Sequence, residues 1–576
     1  MARALEQLTG AGLLSGELGE AFLQRSADFK VERPRDKAHG DFSTNAALLL
    51  ARPAKMKPRD LAQRLLDAMP SEAMHGVRCE IAGPGFINFH FAPERLRTLI
   101  PRILNTPEGI RENPSAYGRS NRGAGERVLV EFVSANPTGP MHVGHGRGAV
   151  TGDVIARLLS AIGCEVEREY YINDAGAQID VLGRSVLYRY QECLGRAVTP
   201  PSDYYPGEYV IDIARALLER DGARWSGVAV EVVKPPVEVI DFAIEWVMRE
   251  IRADLNSMGI DFNTWFRERT LHAGGGIQRA LDHLSAHDWL YEGVLEPPKG
   301  REPSGEENDG RMQLLFRSSR LGDDTDRPLL KADGTPTYFA ADIAYHFDKA
   351  RRGFTRLIDV WGADHGGYVK RVQAAIEAMT GQKDLLDVVL TQMVNLTQGG
   401  KQVRMSKRAG TFVTLREVLD ETGSDAVRFW FLGRSSGAGV DFDLDLAKSR
   451  SNDNPVYYVQ YAHARVYSLE RKLQERKLSD EQGDLERLTA DEELQLIRLL
   501  GQFPEVVEGA AISREPHRLT YYLSDLAALF HGYYNQYRIL DEDPALRGAR
   551  MALVRATGRV IANGLDLLGV SALKNM

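Results

Sequence analysis

Disulfides, zinc modules and membrane spans are all poorly served by this chain. Its 576 residues include only three cysteines, Cys79, Cys164 and Cys193, and none belongs to a Cys-x-x-Cys pair. Such spacing offers neither a disulfide framework nor a tetrahedral zinc site, and no protein-held metal is expected. No uninterrupted apolar run approaches the roughly 20 residues that a membrane helix needs. The segment Met1 to Gln7 lacks the basic-then-apolar layout of a secretory signal, so a cytoplasmic location with no membrane partner is expected. A basic surplus is missing as well: 72 Lys and Arg against 80 Asp and Glu leave a formal net charge of −8. That balance argues against a blanket electrostatic grip on nucleic acid, which would have to meet local clusters instead. Candidates are Arg111, Arg119 and Arg122, or Arg465, Arg471 and Lys472.

What the chain has is length, with 43% hydrophobic residues, enough for about three to four domains with ample cores. Residues 1 to about 110 mix helical periodicity (Leu61 to Met69) with a strand pattern (Phe86 to Phe91), and the polar stretch Asn113 to Arg127 reads as a linker. From about 120 to 450 strand and helix patterns alternate, as in a doubly wound parallel sheet. Long helical insertions are expected near 209–220 and 236–258, and the segment 296–310 reads as a loop with little to bury. From about 451 onward helix patterns dominate, first around Leu494 to Leu500, then Leu519 to Phe530, then Met551 to Leu568.

Two segments carry chemistry. The first runs from Glu131 through Ser134, Asn136, Pro137, Gly139, Pro140, His142, Gly144 and His145 to Gly148. It follows the strand-like Val128 to Val130 and precedes the helix-spaced Val150, Val154, Ile155, Leu158 and Leu159, so it is a strand-to-helix turn. Such a turn aims unpaired N–H groups and the positive end of a helix dipole at the crevice beyond the strand, which favours phosphate. His142 and His145 stand three apart at that entrance, and Gly144, Gly146 and Gly148 are expected to let a ligand approach the backbone. The second segment holds Lys401, Arg404, Met405, Ser406, Lys407 and Arg408 between glycines. Its cations suit a triphosphate and the charge that builds on a leaving pyrophosphate.

A third grouping suits a forked cation. Tyr338 and Asp342 stand four apart at the start of a predicted helix after Pro336, so an aromatic ring and a carboxylate share one face. A guanidinium is planar, permanently charged and best met by carboxylate oxygens.

The first two segments resemble the ATP signatures of class I aminoacyl-tRNA synthetases, His-Ile-Gly-His and Lys-Met-Ser-Lys-Ser. They appear as His142-Val-Gly-His145 and Arg404-Met-Ser-Lys407-Arg408, with Arg404 keeping the first cation and Arg408 replacing the final serine. Six further strings resemble bacterial-type arginyl-tRNA synthetases. These are Glu131 to Pro140, Gly334 to His346, Trp361 to Tyr368, Asn454 to Arg465, His39 to Asn45 and Gly83 to Phe89, in the family's order.

The resemblance implies a Rossmann-type catalytic domain with helical insertions over 120–450. It also implies an α+β N-terminal domain over 1–110 and an all-α anticodon-binding bundle over 451–576. The implied reaction joins L-arginine to ATP and passes it to tRNA(Arg), with Mg²⁺ on the nucleotide and the chain working as a monomer. Carried over residue by residue, His142, Gly144, His145, Met405, Ser406 and Lys407 would hold ATP, with His142, His145, Arg404 and Lys407 acting in catalysis. Glu131, Ser134, Asn136, His145, Tyr338 and Asp342 would hold arginine, and Tyr461 and Arg465 would meet tRNA. Three alternatives stand beside this one: another class I synthetase, a small-molecule nucleotidyltransferase, and a catalytically silent tRNA-binding paralogue. The intact His142, His145, Lys407, Tyr338 and Asp342 argue against the last.

Overall fold

The computed structural model of the chain describes residues 31–34, 36–105, 116–294, 312–331, 333–403, 413–480, 483–540 and 543–576. These divide into two compact units, and helices of the C-terminal third contribute to both.

The larger unit comprises Ala116–Arg465, Phe503–Ala527 and Ile561–Met576. At its centre is a five-stranded sheet of β1 (Arg127–Glu131), β2 (Glu165–Ile172), β3 (Thr264–Arg267), β4 (Arg356–Gly362) and β5 (Leu386–Thr391). The spatial order is β5-β4-β1-β2-β3, and every neighbouring pair is parallel. Strand order reverses between β1 and β4, which makes the crevice beyond their carboxyl ends the expected ligand site of a doubly wound sheet. Because β1 is covered on both faces, its apolar residues run on without alternation, and Val128, Leu129 and Val130 are fully buried.

After β1 the chain enters α1 (Val143–Ala161), whose start is held by the side chains of His142 and His145. Close packing explains the glycines of this helix. A Cβ on Gly146 would lie 2.6 Å from Leu415 Cδ1, and one on Gly152 would lie 2.2 Å from Phe132 Cγ. The space beside Gly146 and Gly152 is filled by neighbouring apolar side chains, whereas Gly148 is buried with room for a Cβ. The expectation that Gly146 admits a ligand is therefore corrected: Leu415 and Phe431 occupy the space that a side chain there would need.

The insertion between β2 and β3 carries α2 (Ala177–Cys193), α3 (Glu208–Asp221) and α4 (Val237–Ser257), close to the two helical ranges read from periodicity. Before β4 lies α5 (Tyr338–Arg351), opened by Thr337, whose hydroxyl accepts the Ala340 amide. The segment 296–310 lies outside the described residues. No helix among the described residues is long and apolar enough to cross a membrane.

The smaller unit comprises residues up to Ser115, Val466–Gln502 and Ala528–Val560. Its four-stranded antiparallel sheet has Phe42–Thr44 and Phe86–Phe91 as inner strands, flanked by Val31–Glu32 and Val77–Ala82. Helix Pro58–Asp67 buries Leu61, Ala62 and Leu65 against this sheet's Ile87. Asp41 joins the sheet to the C-terminal helix Asp491–Leu500: one carboxylate oxygen accepts the Phe91 amide at 2.7 Å and the other accepts Arg498 Nε at 2.9 Å.

Candidate active site

A cavity of about 270 Å³ opens at the switch point of the larger sheet. Its wall is drawn from the loop after β1 (Val133, Ser134, Asn136), the end of β2 (Tyr171, Asn173), α5 (Asp342, Tyr345, His346) and the end of β4 with the turn beyond it (Trp361, His365, Tyr368). Glu131 completes it from the last position of β1.

The loop after β1 is strained. Val133 has φ 70° and Ser134 φ 38°, while the Ser134 amide donates to the Phe132 carbonyl at 3.0 Å. This is a γ-turn centred on a β-branched residue with positive φ, a conformation costing on the order of 1–3 kcal/mol. Side-chain bonds hold it: Ser134 Oγ donates to Glu131 Oε1 at 2.8 Å and accepts the Tyr171 amide at 3.1 Å. The result turns Val133 and Ser134 into the cavity. Farther on, Asn136 donates to Gln178 Oε1 at 3.0 Å.

The two histidines form a reciprocal cap on α1. His142 Nδ1 accepts the Gly144 amide at 3.1 Å, and His145 Nδ1 accepts the His142 amide at 3.3 Å. Each Nδ1 being an acceptor, the proton of each neutral ring sits on Nε2. The rings stack with centroids 3.7 Å apart, so two N–H donors are presented together at a helix N-terminus.

Arg404, Met405, Ser406, Lys407 and Arg408 lie outside the described residues. On the near side, Val403 donates its amide to Leu396 at 2.9 Å. On the far side, Thr414 forms an antiparallel bridge with His142, and the Leu415 amide donates to Met141 at 2.8 Å.

Of the pair on α5, only Asp342 lines the cavity. Tyr338 is 67% exposed, with its phenol beside Gly176. It occupies the first helical position, and helical side chains lean toward the N-terminus, so its ring leaves the helix body that Asp342 keeps to. Tyr368 donates its hydroxyl to Asp342 Oδ2, and no described residue bonds Oδ1. Burial pushes the Asp342 carboxyl above its ordinary range, with Tyr368 opposing.

Beneath the cavity lies a charge network that spacing did not reveal. Lys349, one helical turn beyond Tyr345, is fully buried and donates to Glu131 Oε2 and, at 2.9 Å, to Asp359 Oδ1. His346 offers Nδ1 to the Asp342 carbonyl and Nε2 to Asp359 Oδ2, both at 2.8 Å. Burial acts to raise Asp359, yet Lys349 and His346 outweigh it and hold the carboxyl low. Burial raises Glu131, and Lys349 pulls against that rise. Glu131, His346 and Asp359 are grouped closely enough to suggest a metal site, but the Lys349 ammonium contacts both carboxylates and leaves a divalent ion no place. Lys349, Tyr368, His346 and Tyr171 are the site residues that sequence reasoning missed. Only the i, i+3, i+4, i+7 spacing of Asp342, Tyr345, His346 and Lys349 on one helix was available to signal them.

In the C-terminal part, Tyr461 stacks on Tyr457 at 5.8 Å, and the Arg465 guanidinium lies 4.6 Å over the Tyr461 ring. Arg119 and Arg122 are exposed, and Arg111 lies outside the described residues.

Three family models match this chain. Residues 4–91 match the arginyl tRNA synthetase N terminal domain, and residues 113–196 match the class I (R) tRNA synthetase catalytic domain. Residues 459–576 match the DALR anticodon binding domain. An arginine–tRNA ligase of Magnetococcus marinus is 58% identical over 95% of both chains.

The chain belongs to the arginyl-tRNA synthetase family.

A second arginyl-tRNA synthetase relative, an arginine–tRNA ligase of Halorhodospira halophila, is 46% identical over 100% of this chain and 99% of its own. The solved arginyl-tRNA synthetase of Thermus thermophilus shares the fold over the full length of both chains, with TM-score 0.71 at 24% identity.

Proposed function

We propose that this chain is an arginine–tRNA ligase: it joins the carboxylate of L-arginine to the α-phosphorus of ATP, releasing pyrophosphate, and passes the arginyl group to the terminal ribose of tRNA(Arg), releasing AMP. One observation carries the reading. The Asp342 carboxylate lines a cavity at the switch point of a doubly wound sheet whose adjoining helix carries two stacked histidines at its N-terminus. A forked cation and a phosphate chain therefore find complementary groups side by side. Identity of 58% with a relative named arginine–tRNA ligase supports it.

In this reading Asp342 takes the guanidinium, Tyr368 orients that carboxylate, and Glu131 adds charge. Ser134, Asn136 and His145 hold the amino-acid end, and Tyr338 closes on the bound substrate from outside. His142, Gly144 and His145 steady the phosphates while Met405, Ser406, Lys407 and Arg404 act on the triphosphate, stabilising charge on the departing pyrophosphate. Mg²⁺ comes with the nucleotide and neutralises phosphate charge; the Glu131, His346 and Asp359 group does not fit it. The adenylate is a good leaving group, so the second transfer needs mainly positioning of the ribose hydroxyl. Tyr461 and Arg465 meet the tRNA, and the chain works in the cytoplasm as a monomer. The working parts are 1–110, 120–450 and 451–576.

Pyrophosphate exchange with each amino acid in turn, with and without tRNA, tests this proposal. Exchange with arginine alone is expected; exchange driven by another amino acid, or none under any condition, would overturn it.

A further inference from the structure

Lys349 is an expensive residue to bury. Taking an ammonium out of water is costly, and a buried ion pair can often be replaced by apolar groups of similar volume without loss. Here the charge is kept where β1, β4 and α5 converge under the cavity. Each neighbouring carboxylate has its own partners. Asp359 is held by His346 as well as Lys349, and Glu169 by Arg352 and the Tyr345 hydroxyl. Glu131 has one cation in contact with it among the described residues, and that is Lys349.

We propose that Lys349 is a positioning residue for arginine binding: it holds the Glu131 carboxylate ionised and fixed at the cavity wall, so that a cationic substrate meets two carboxylates rather than one. This rests on reading the cavity as the arginine site. With Lys349 removed, Glu131 keeps its bond from Ser134 but loses its cation and stands beside the Asp359 charge. A buried carboxyl in that setting, beside a second anion, is driven toward its neutral form.

Other titratable groups face the same space. They are Asp342 and His346 on α5, Glu169 and Tyr171 on β2, Asp359 on β4, Glu268 beyond β3, and His365 and Tyr368 after β4. They remain in a Lys349 variant as in the parent, as does the α-amino group of the substrate; Lys349 also lowers Asp359 and Asp342, and Glu131 is the cavity-wall carboxylate that it contacts directly.

The test is calorimetric titration of the full chain with L-arginine from about pH 6 to about pH 9, since burial moves a carboxyl upward from its ordinary range. Lys349→Met is compared with the parent. A second variant, Lys349→Met with Asp359→Asn, removes the accompanying buried anion and carries the test if the first does not fold by thermal melting. Arginine affinity is expected to fall about tenfold to a hundredfold near pH 6–7, the loss of one charged contact, and to recover toward pH 9. A loss of equal size at every pH would mean a merely structural role and overturn the proposal, as would no loss at any pH. Failure of the parent to bind arginine would sink the site reading itself. Parent binding with a pH-independent loss would sink only the role of Lys349.

Discussion

Thr414 faces His142 across an isolated antiparallel bridge, and the next residue, Leu415, bonds Met141 and packs its side chain against Gly146. The chain leaving the 404–412 segment is thereby fastened to the entrance of the histidine helix. The histidine signature and the residues Thr414 and Leu415, more than two hundred positions apart in the chain, share one anchor.

Widening Gly146 should therefore disturb the second signature through the first. Gly146→Val places branched carbons where Leu415 already lies, an overpacking cost of roughly 1–3 kcal/mol. The expected outcome in steady-state charging is a fall in kcat and weaker use of ATP, with the KM for arginine little changed. A rise in the arginine KM alone would contradict this coupling.

Asp342→Asn keeps the shape of the side chain and removes its charge. Loss of a charged contact to a guanidinium should raise the arginine KM about tenfold to a hundredfold while leaving the ATP KM alone. Parallel kinetics with arginine and ATP as the varied substrate check the split.

Acidification should weaken arginine binding earlier than an ordinary carboxylate would suggest. Burial raises both Asp342 and Glu131 above their usual values of 3.8 and 4.5. A raised carboxyl favours the fold below its unfolded pKa and loses that contribution as pH rises through its folded pKa. Bound arginine, a cation, pulls both values back down and so stabilises most at the higher pH. The melting-temperature increment produced by saturating arginine is expected to grow from about pH 5 to about pH 8. An increment that shrinks over that range would reverse the assigned sign.

Asp41→Ala removes two bonds at once in the smaller unit, those to the Phe91 amide and to Arg498. A half-buried amide left without its acceptor costs up to about 1–3 kcal/mol, so denaturant unfolding should report a loss within that range. Arg498→Ala leaves the Phe91 bond intact and should cost less. Equal losses would mean that the Phe91 bond contributes little.

Much of this site was legible before any fold. The turn after Val128 to Val130, the imidazoles on one helix entrance, and Tyr338 with Asp342 at a helix start all follow from local spacing, and each element stands where periodicity puts it. The strained γ-turn at Val133 was not legible, because nothing in a valine announces positive φ; its neighbours Ser134, Glu131 and Tyr171 impose it. Nor was the separation of Tyr338 from Asp342, which depends on where the helix ends relative to the cavity.

By itself the sequence determined which segments are strands, which are helices, where they turn, and which family the chain resembles. These depend on side-chain period, caps and glycines within a few residues of one another. Only the tertiary structure decided which charges meet. Glu131, Lys349 and Asp359 lie on three different elements and become one network because β1 and β4 are neighbours in the sheet and α5 packs over them. Electrostatic energy depends on distance in space and on the exclusion of water, and spacing along the chain records neither.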